Sequence, residues 1–206
     1  MKNIMINILI RKETGKDELL ELIKKCTSEK HNISVNICDY CLKKSDIDSE
    51  SLSGASYYEF DYEDMSLHEN KVIELASDVE YLAFIDSDDL WKKNKLGVQL
   101  KTMLNSNALI SHTSYSLIDE NNKIIGLMRA QKKLNYDNLL TSCDIGLSTV
   151  MINSSIKSQI KFPNVKTKED YILWLKLSKK INILGIKRNL GSWRKLKSSL
   201  SSSIIQ

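Results

Sequence analysis

The stretch from Tyr81 to Trp91, YLAFIDSDDLW, constrains this chain more than any other. It opens as an apolar run of the kind a strand buried inside a sheet displays. It then stops on three carboxylates within four positions, Asp86, Asp88 and Asp89. Like charges so crowded repel one another and lose hydration, so their placement needs a physical reason. A divalent cation would relieve the repulsion, and hard cations such as magnesium or manganese take oxygen ligands. Acidic residues after a strand also fall where open α/β sheets place their ligands. The alternative is an acidic turn in which Asp88 or Asp89 caps the following helix.

The flanking sequence says what kind of sheet this strand belongs to. Ile4–Ile10 is strand-like, and after Gly15 the residues Leu19, Leu20, Leu22, Ile23 and Cys26 recur at helical spacing. Ile33–Cys38 alternates with period two and ends on Asp39. Leu42–Gly54 is a polar loop, and the aromatic run Ala55–Tyr62 reads as a short strand. Ser66–Ser77 reads as a helix with Ser66 as cap and Glu69 completing a capping box. This alternation predicts a parallel sheet with helices on its faces, the nucleotide-binding type of architecture.

After Trp91 the rhythm changes. Lys95–Leu104 is an amphipathic helix, and Ala108–Ile118 turns through Asp119–Asn122 into Lys123–Met128, so the second half carries a mixed sheet. Tyr136–Thr141 reads as a short helix and Ser148–Ile152 as a strand. Asp170–Lys180 reads as a buried helix, Ile181–Ile186 as a strand, and Ser192–Gln206 as a Ser- and Lys-rich tail. No linker divides the chain. A single domain over 1–206 follows, with residues 1–91 as its nucleotide-binding half and 92–206 as the remainder.

Composition excludes several classes. The chain has 206 residues, 27% of them charged, and a net charge of +4. That charge suits an anionic small ligand or an anionic membrane surface and is too small to argue for nucleic acid. No apolar run reaches the roughly 18 residues that span a bilayer, and Met1–Ile10 lacks a leader's cleavage site, so the chain reads as cytoplasmic. Cys38 and Cys41 form a lone C-x-x-C without the further ligands a structural zinc needs, and the four cysteines read as free thiols.

Four segments, YLAFIDSDDLW, LSTVMINSS, KEDYILWLKL and WRKLKSSLSS, follow one another in an order and at spacings that resemble the family-2 glycosyltransferases. Among these, the bacterial enzymes that build capsule, teichuronic acid or lipopolysaccharide are nearest in character. The resemblance implies the α/β GT-A fold, a Rossmann-like nucleotide-binding half with a mostly parallel central sheet continuing into a mixed acceptor-binding half. It implies a nucleotide-sugar donor, a UDP-sugar, and a saccharide or lipid-linked saccharide acceptor. Peripheral association with the inner face of the membrane would accompany such an acceptor, and no nucleic acid is involved. Asp88, with Asp86, would hold a manganese or magnesium ion, and Asp86 would also face the donor. Asp39, Trp91, Arg194 and Lys197 would contact the nucleotide-sugar, Glu169 would lie on the acceptor side, and Asp170 would be the general base of an inverting transfer.

The chain departs from the family at Arg11–Thr14, at Asp39–Leu42, at Glu69 before Asn70, and at Leu196, where a His is common. These departures keep open a second reading, a GT-A relative of low activity that serves as a partner-binding subunit of a polysaccharide assembly complex.

Overall fold

The computed structural model describes residues 2–10, 14, 16–28, 31–40, 52, 54–60, 65–76, 78–165 and 167–196. Strand β1 (Asn3–Ile10) lies between two parallel neighbours, β2 (Asn32–Asp39) and β4 (Tyr81–Asp86), and β3 (Ser56–Glu59) extends the sheet beyond β2. Helices α1 (Lys16–Cys26) and α2 (Met65–Leu75) lie between these strands in the chain. Because successive side chains of a strand point to opposite faces, β1 feeds two cores. Ile4, Ile6, Ile8 and Ile10 pack with Leu19 and Leu22 of α1 and with Leu96 and Leu100 of α3 (Lys95–Ser106). Met5 and Leu9 pack on the other face with Val72 and Ile73 of α2 and with Trp174 of α5 (Glu169–Ser178).

Past β4 the sheet becomes mixed, as the hairpin in the sequence implies. Strand β9 (Met151–Asn153) joins β4 to β6 (Ile110–Ile118), antiparallel to both. The twelve-residue β10 (Ile183–Arg194) runs parallel to β6, and the two-residue β5 (Leu90–Trp91) closes that edge. Strand β7 (Ile124–Met128) pairs with β6, and β8 (Lys133–Leu134) with β10. The short α4 (Tyr136–Thr141) starts from a capping box formed by Asn135 and Asn138.

Several boundaries differ from expectation. Of the expected Ser148–Ile152 strand only Met151 and Ile152 belong to β9, because Leu147–Thr149 forms a 3₁₀ turn. Helix α2 begins at Met65, so Ser66 is its second residue and not its cap. The cap of α3 is Asn94 in a left-handed conformation (φ 66°), so neither Asp88 nor Asp89 caps that helix. Ser192, Trp193 and Arg194 belong to β10 and not to a tail. Their strand was hidden in the sequence by a bulge at Lys187 and Arg188, which breaks the period-two pattern. Cys26, Cys38 and Cys143 are free thiols, while Cys41, the Leu42–Ser51 part of the expected loop and the tail from Lys197 onward lie outside the described residues.

His112 on β6 is fully buried, and neither ring nitrogen has a hydrogen-bond partner among the described residues. Burial lowers its pKa from 6.5 to about 4, against a smaller opposing effect of Asp144. The unfolded chain therefore takes up this proton first as pH falls. Stability supplied by neutral His112 is complete above about pH 6.5 and is lost toward pH 4, by at most about 3 kcal/mol. The His112→Leu variant is expected to flatten the fall in urea midpoint between pH 7 and pH 4.5. An unchanged pH dependence would remove His112 as the acid-sensitive group.

Candidate active site

The carboxylate corner forms where β4 ends. Asp86 and Asp88 are partly exposed, but Asp89 is buried. The turn is held by main-chain bonds, Ser87 N–H to the Leu9 carbonyl (2.9 Å) and Asp89 N–H to the Asp86 carbonyl (3.0 Å). Asp89 accepts the Arg194 backbone N–H at 2.9 Å, so it anchors the corner to the end of β10. Burial, and then the nearby Asp86 carboxylate, hold the Asp89 carboxyl well above the usual range, while the Ser148 hydroxyl and the Arg194 N–H act in the opposite sense. The three acids thus divide into two that face solvent and one that belongs to the interior.

Ser148, in the 3₁₀ turn, ties the corner to the neighbouring strands. Its hydroxyl accepts the Asp86 N–H at 3.0 Å, and its carbonyl accepts the Trp91 indole N–H at 2.7 Å. Beneath it, the buried Lys95 places its ammonium 4.2 Å from the Trp91 ring centre and donates to Gln99 at 2.7 Å. Gln99 in turn donates to the carbonyls of Ser111 (3.2 Å) and Thr149 (2.8 Å). A buried polar chain of this kind, with its members bonded to one another, fixes the backbone that carries Asp86 and Asp88. The indole N–H and one ring face of Trp91 are engaged inside the protein.

Arg194 has a different geometry from the one its sequence context implies. Its Nε donates to the Asp88 carbonyl at 2.9 Å, and Nη1 to the carbonyls of Asp119 (3.0 Å) and Glu120 (3.4 Å). Nη2 donates to Asn122 Oδ1 at 2.8 Å. The guanidinium therefore spans from the D-x-D turn to the β6–β7 turn, a latch made of neutral acceptors. Lys197 lies outside the described residues.

Asp39 ends β2 on the same edge of the sheet. It pairs in register with Ile10, while Asp86 pairs with Leu9, so the two acids flank the last residues of β1. The Asp39 carboxylate is buried and accepts the Tyr57 hydroxyl.

The second acidic feature lies at the start of α5. Glu169 is buried and Asp170 half-exposed, with Asp170 Oδ1 accepting the Tyr171 N–H at 2.7 Å. The helix starts from Lys168 in a left-handed conformation (φ 63°), an unusual state for a residue with a β-carbon. Asn70 of α2 exchanges two hydrogen bonds with the backbone of Phe162 (2.8 and 3.0 Å), which holds the loop leading into α5. Tyr115 of β6 is a further buried titratable group. Burial raises the pKa of its phenol, and the fields of Asp144, Cys143, Asp89 and Asp170 raise it further.

Among the described residues no group of three or more His, Cys, Asp or Glu side chains is placed to hold a metal ion. The donor set at the corner is instead two partly exposed carboxylates, Asp86 and Asp88. That suits a magnesium or manganese ion that completes its coordination with phosphate oxygens and water, and does not suit a cation caged by protein alone.

Sequence reasoning missed Ser148, Gln99 and Lys95 as supports of the site. For Lys95 and Gln99 a signal existed, since they stand four residues apart on the face of α3 that also carries Leu96 and Leu100. Ser148 stands within the segment LSTVMINSS, but its own role is not visible there because it depends on Asp86 and Trp91, far away in the chain.

No protein-family model matches the chain. Over 136 residues it is 38% identical to the putative teichuronic acid biosynthesis glycosyltransferase TuaG of Bacillus subtilis, covering 65% of this chain and 54% of that protein. Over 138 residues it is 39% identical to WfgD of Escherichia coli, a UDP-Glc:alpha-D-GlcNAc-diphosphoundecaprenol beta-1,3-glucosyltransferase, covering 65% of this chain and 53% of WfgD. The chain therefore spans about half the length of the curated relatives it matches. Its fold superposes on the Staphylococcus aureus TarS fragment 1–349, crystallised with UDP-GlcNAc, with a TM-score of 0.71 over 100% of this chain and 62% of that one, at 15% identity. The chain thus has the fold of the TarS fragment, and in sequence it is similar to the bacterial glycosyltransferases TuaG and WfgD.

Proposed function

We propose that the chain transfers a sugar from a UDP-sugar to a hydroxyl of a saccharide or lipid-linked saccharide in cell-surface polysaccharide synthesis, with inversion at the anomeric carbon. The observation that carries this reading is the pair of acidic features, Asp86 with Asp88 and separately Asp170, all of them partly exposed. Support for the donor and acceptor classes comes from the UDP-GlcNAc bound to TarS and from the diphosphoundecaprenol acceptor in the name of WfgD. Such a reaction would take place on the cytoplasmic side, at the inner face of the membrane.

In the proposed reaction Asp170 accepts the proton of the acceptor hydroxyl while that oxygen forms its bond to the anomeric carbon. The bond from the anomeric carbon to the diphosphate oxygen breaks, and the nucleoside diphosphate leaves with the electron pair. Asp88 and Asp86 would hold a divalent cation, which would supply charge neutralisation for that leaving group. Asp39, at the other side of the β1 end, would contact the nucleoside. Glu169, buried beside the base, faces the acceptor side.

The test is transfer and donor hydrolysis with manganese titrated, wild type against Asp88→Ala. Outer partners of a metal ligand are already worth about 10–100-fold in affinity, so loss of a ligand itself is expected to weaken the manganese response by more than about tenfold. A manganese response equal to wild type would remove Asp88 from the metal site.

A partner-binding subunit of low activity is the second reading. It is favoured by the commitment of the Arg194 guanidinium to protein carbonyls, which competes with its use on a diphosphate. A thermal-shift titration with UDP and manganese separates the two. Stabilisation that rises with nucleotide supports the enzyme, and none at any concentration supports the binding module.

A further inference from the structure

Two stretches of this chain contain no acidic residue, Asn121–Tyr136 and Tyr171–Gln206, and they carry four and eight Lys or Arg residues respectively. The fold sets β8, from the first, beside β10, from the second. Strand β8 pairs with β10 through Leu134 to Ile183 and Lys133 to Leu184, and the Gly185 N–H donates to the Lys132 carbonyl at 3.1 Å. One step further along, the register of β10 on β6 slips between Ile186 and Asn189, and Lys187 and Arg188 stand out exposed on the bulge. Ser114 clamps that bulge to the connection after β7, with its hydroxyl accepting the Ala130 N–H (2.9 Å) and donating to the Lys187 carbonyl (3.1 Å). Arg129, Lys132, Lys133, Lys187 and Arg188 are all exposed along β8, the β10 bulge and the connection after β7, and none has a carboxylate partner among the described residues.

Strand β7, which lies across β6 from β10 and runs in the chain directly into Arg129, is apolar where solvent reaches it. Ile124, Ile125 and Leu127 are 66%, 51% and 45% exposed. Apolar side chains bordered by unpaired cations, on an edge strand, mark an interaction surface. The charge decides the occupant. A second copy would bring cation against cation, and nucleic acid would have no use for the aliphatic row. An anionic lipid leaflet meets both, since aliphatic side chains enter the headgroup boundary while Lys and Arg meet the anionic headgroups.

We propose that the β7–β8–β10 surface docks on an anionic lipid leaflet through Ile125 and Leu127, with Arg129, Lys132, Lys133, Lys187 and Arg188 as its electrostatic contacts. For its purpose the inference rests on the lipid-linked reading of the acceptor, but the docking itself is readable without turnover. The β7 side of this surface continues into the turn that Arg194 latches to the D-x-D corner, so the leaflet would lie beside the site.

The experiment is co-sedimentation of the full chain, without substrates, with vesicles of phosphatidylcholine alone or with about 30% phosphatidylglycerol, at about 0.1 M salt where exposed charges still act over about 10 Å. Binding is expected on the anionic vesicles only. A Lys187→Glu/Arg188→Glu variant is expected to bind at least about 25-fold more weakly, about fivefold for each cation removed. An Ile125→Ser/Leu127→Ser variant is expected to lose binding by at least about tenfold. No binding by wild type, equal binding to neutral vesicles, or wild-type binding by the charge-reversed variant would overturn the proposal. So would displacement by polyuridylate with no effect of the serine pair, which would assign the surface to nucleic acid. Stabilisation of each variant by UDP with manganese, measured in parallel, reports on the donor site, so failure of the donor reading and failure of the docking surface are separately visible.

Discussion

Replacing Asp170 by Asn is expected to lower kcat by about 10²–10⁴ while leaving the KM for donor near its wild-type value. Asparagine keeps the shape and the oxygen that accepts the Tyr171 N–H, so the first turn of α5 retains its bond. What it loses is the negative charge that can take a proton. A carboxylate in the first turn also interacts with the helix dipole, which adds only about 0.3–1 kcal/mol, so the melting temperature should move little. The buried neighbour Glu169 supplies the comparison, because Glu169→Gln changes an interior residue and should act through folding more than through kcat. Steady-state kinetics on one donor and one acceptor, with melting curves of both variants, check this. An Asp170→Asn enzyme with wild-type kcat would leave the reaction without this base.

The Arg194→Ala variant is expected to lose both stability and donor affinity. Its guanidinium makes four hydrogen bonds, each from a charged donor, to Asp88, Asp119, Glu120 and Asn122. Charged hydrogen bonds contribute about 1.5–3 kcal/mol when shielded, and these are partly exposed, so about 2–3 kcal/mol for the set is the expected loss in denaturant unfolding. Without the latch the Asp88 backbone is free to move, and the KM for donor should rise. Arg194→Lys separates latch from phosphate contact. Lysine restores the charge but presents a point donor in place of a fork, and cannot reach both turns at once. A latch predicts that lysine rescues neither stability nor KM. Rescue of KM by lysine, with stability still lost, would return Arg194 to the diphosphate.

Much of the fold was legible because it depends on local pattern. The apolar run at Tyr81–Ile85, the period of α1 and the alternation along β2 are properties of short windows, and each element appears within a residue or two of its expected place. The misses share another physical origin. Ser148–Thr149 has strand-forming composition, yet its polar groups serve the corner and Gln99, and the chain bends into a 3₁₀ turn to present them. The end of β10 looked like a tail because two bulged cations interrupt its period, and only pairing with β6 across more than seventy residues restores it. Asp89 resembled its two neighbours in sequence, and burial alone sets it apart.

By itself the sequence determined that β4 ends in a cluster of acids on a mostly parallel half-sheet, and that a second acid opens a late helix. Both follow from local periodicity and from the repulsion of adjacent charges. Tertiary structure decided which acids face solvent, that Arg194 joins the D-x-D turn to the β6–β7 turn, and that β8 and β10 bring cations from two acid-free stretches together. Those outcomes depend on desolvation and on contacts between residues distant in the chain, and neither is encoded in any window of neighbouring residues.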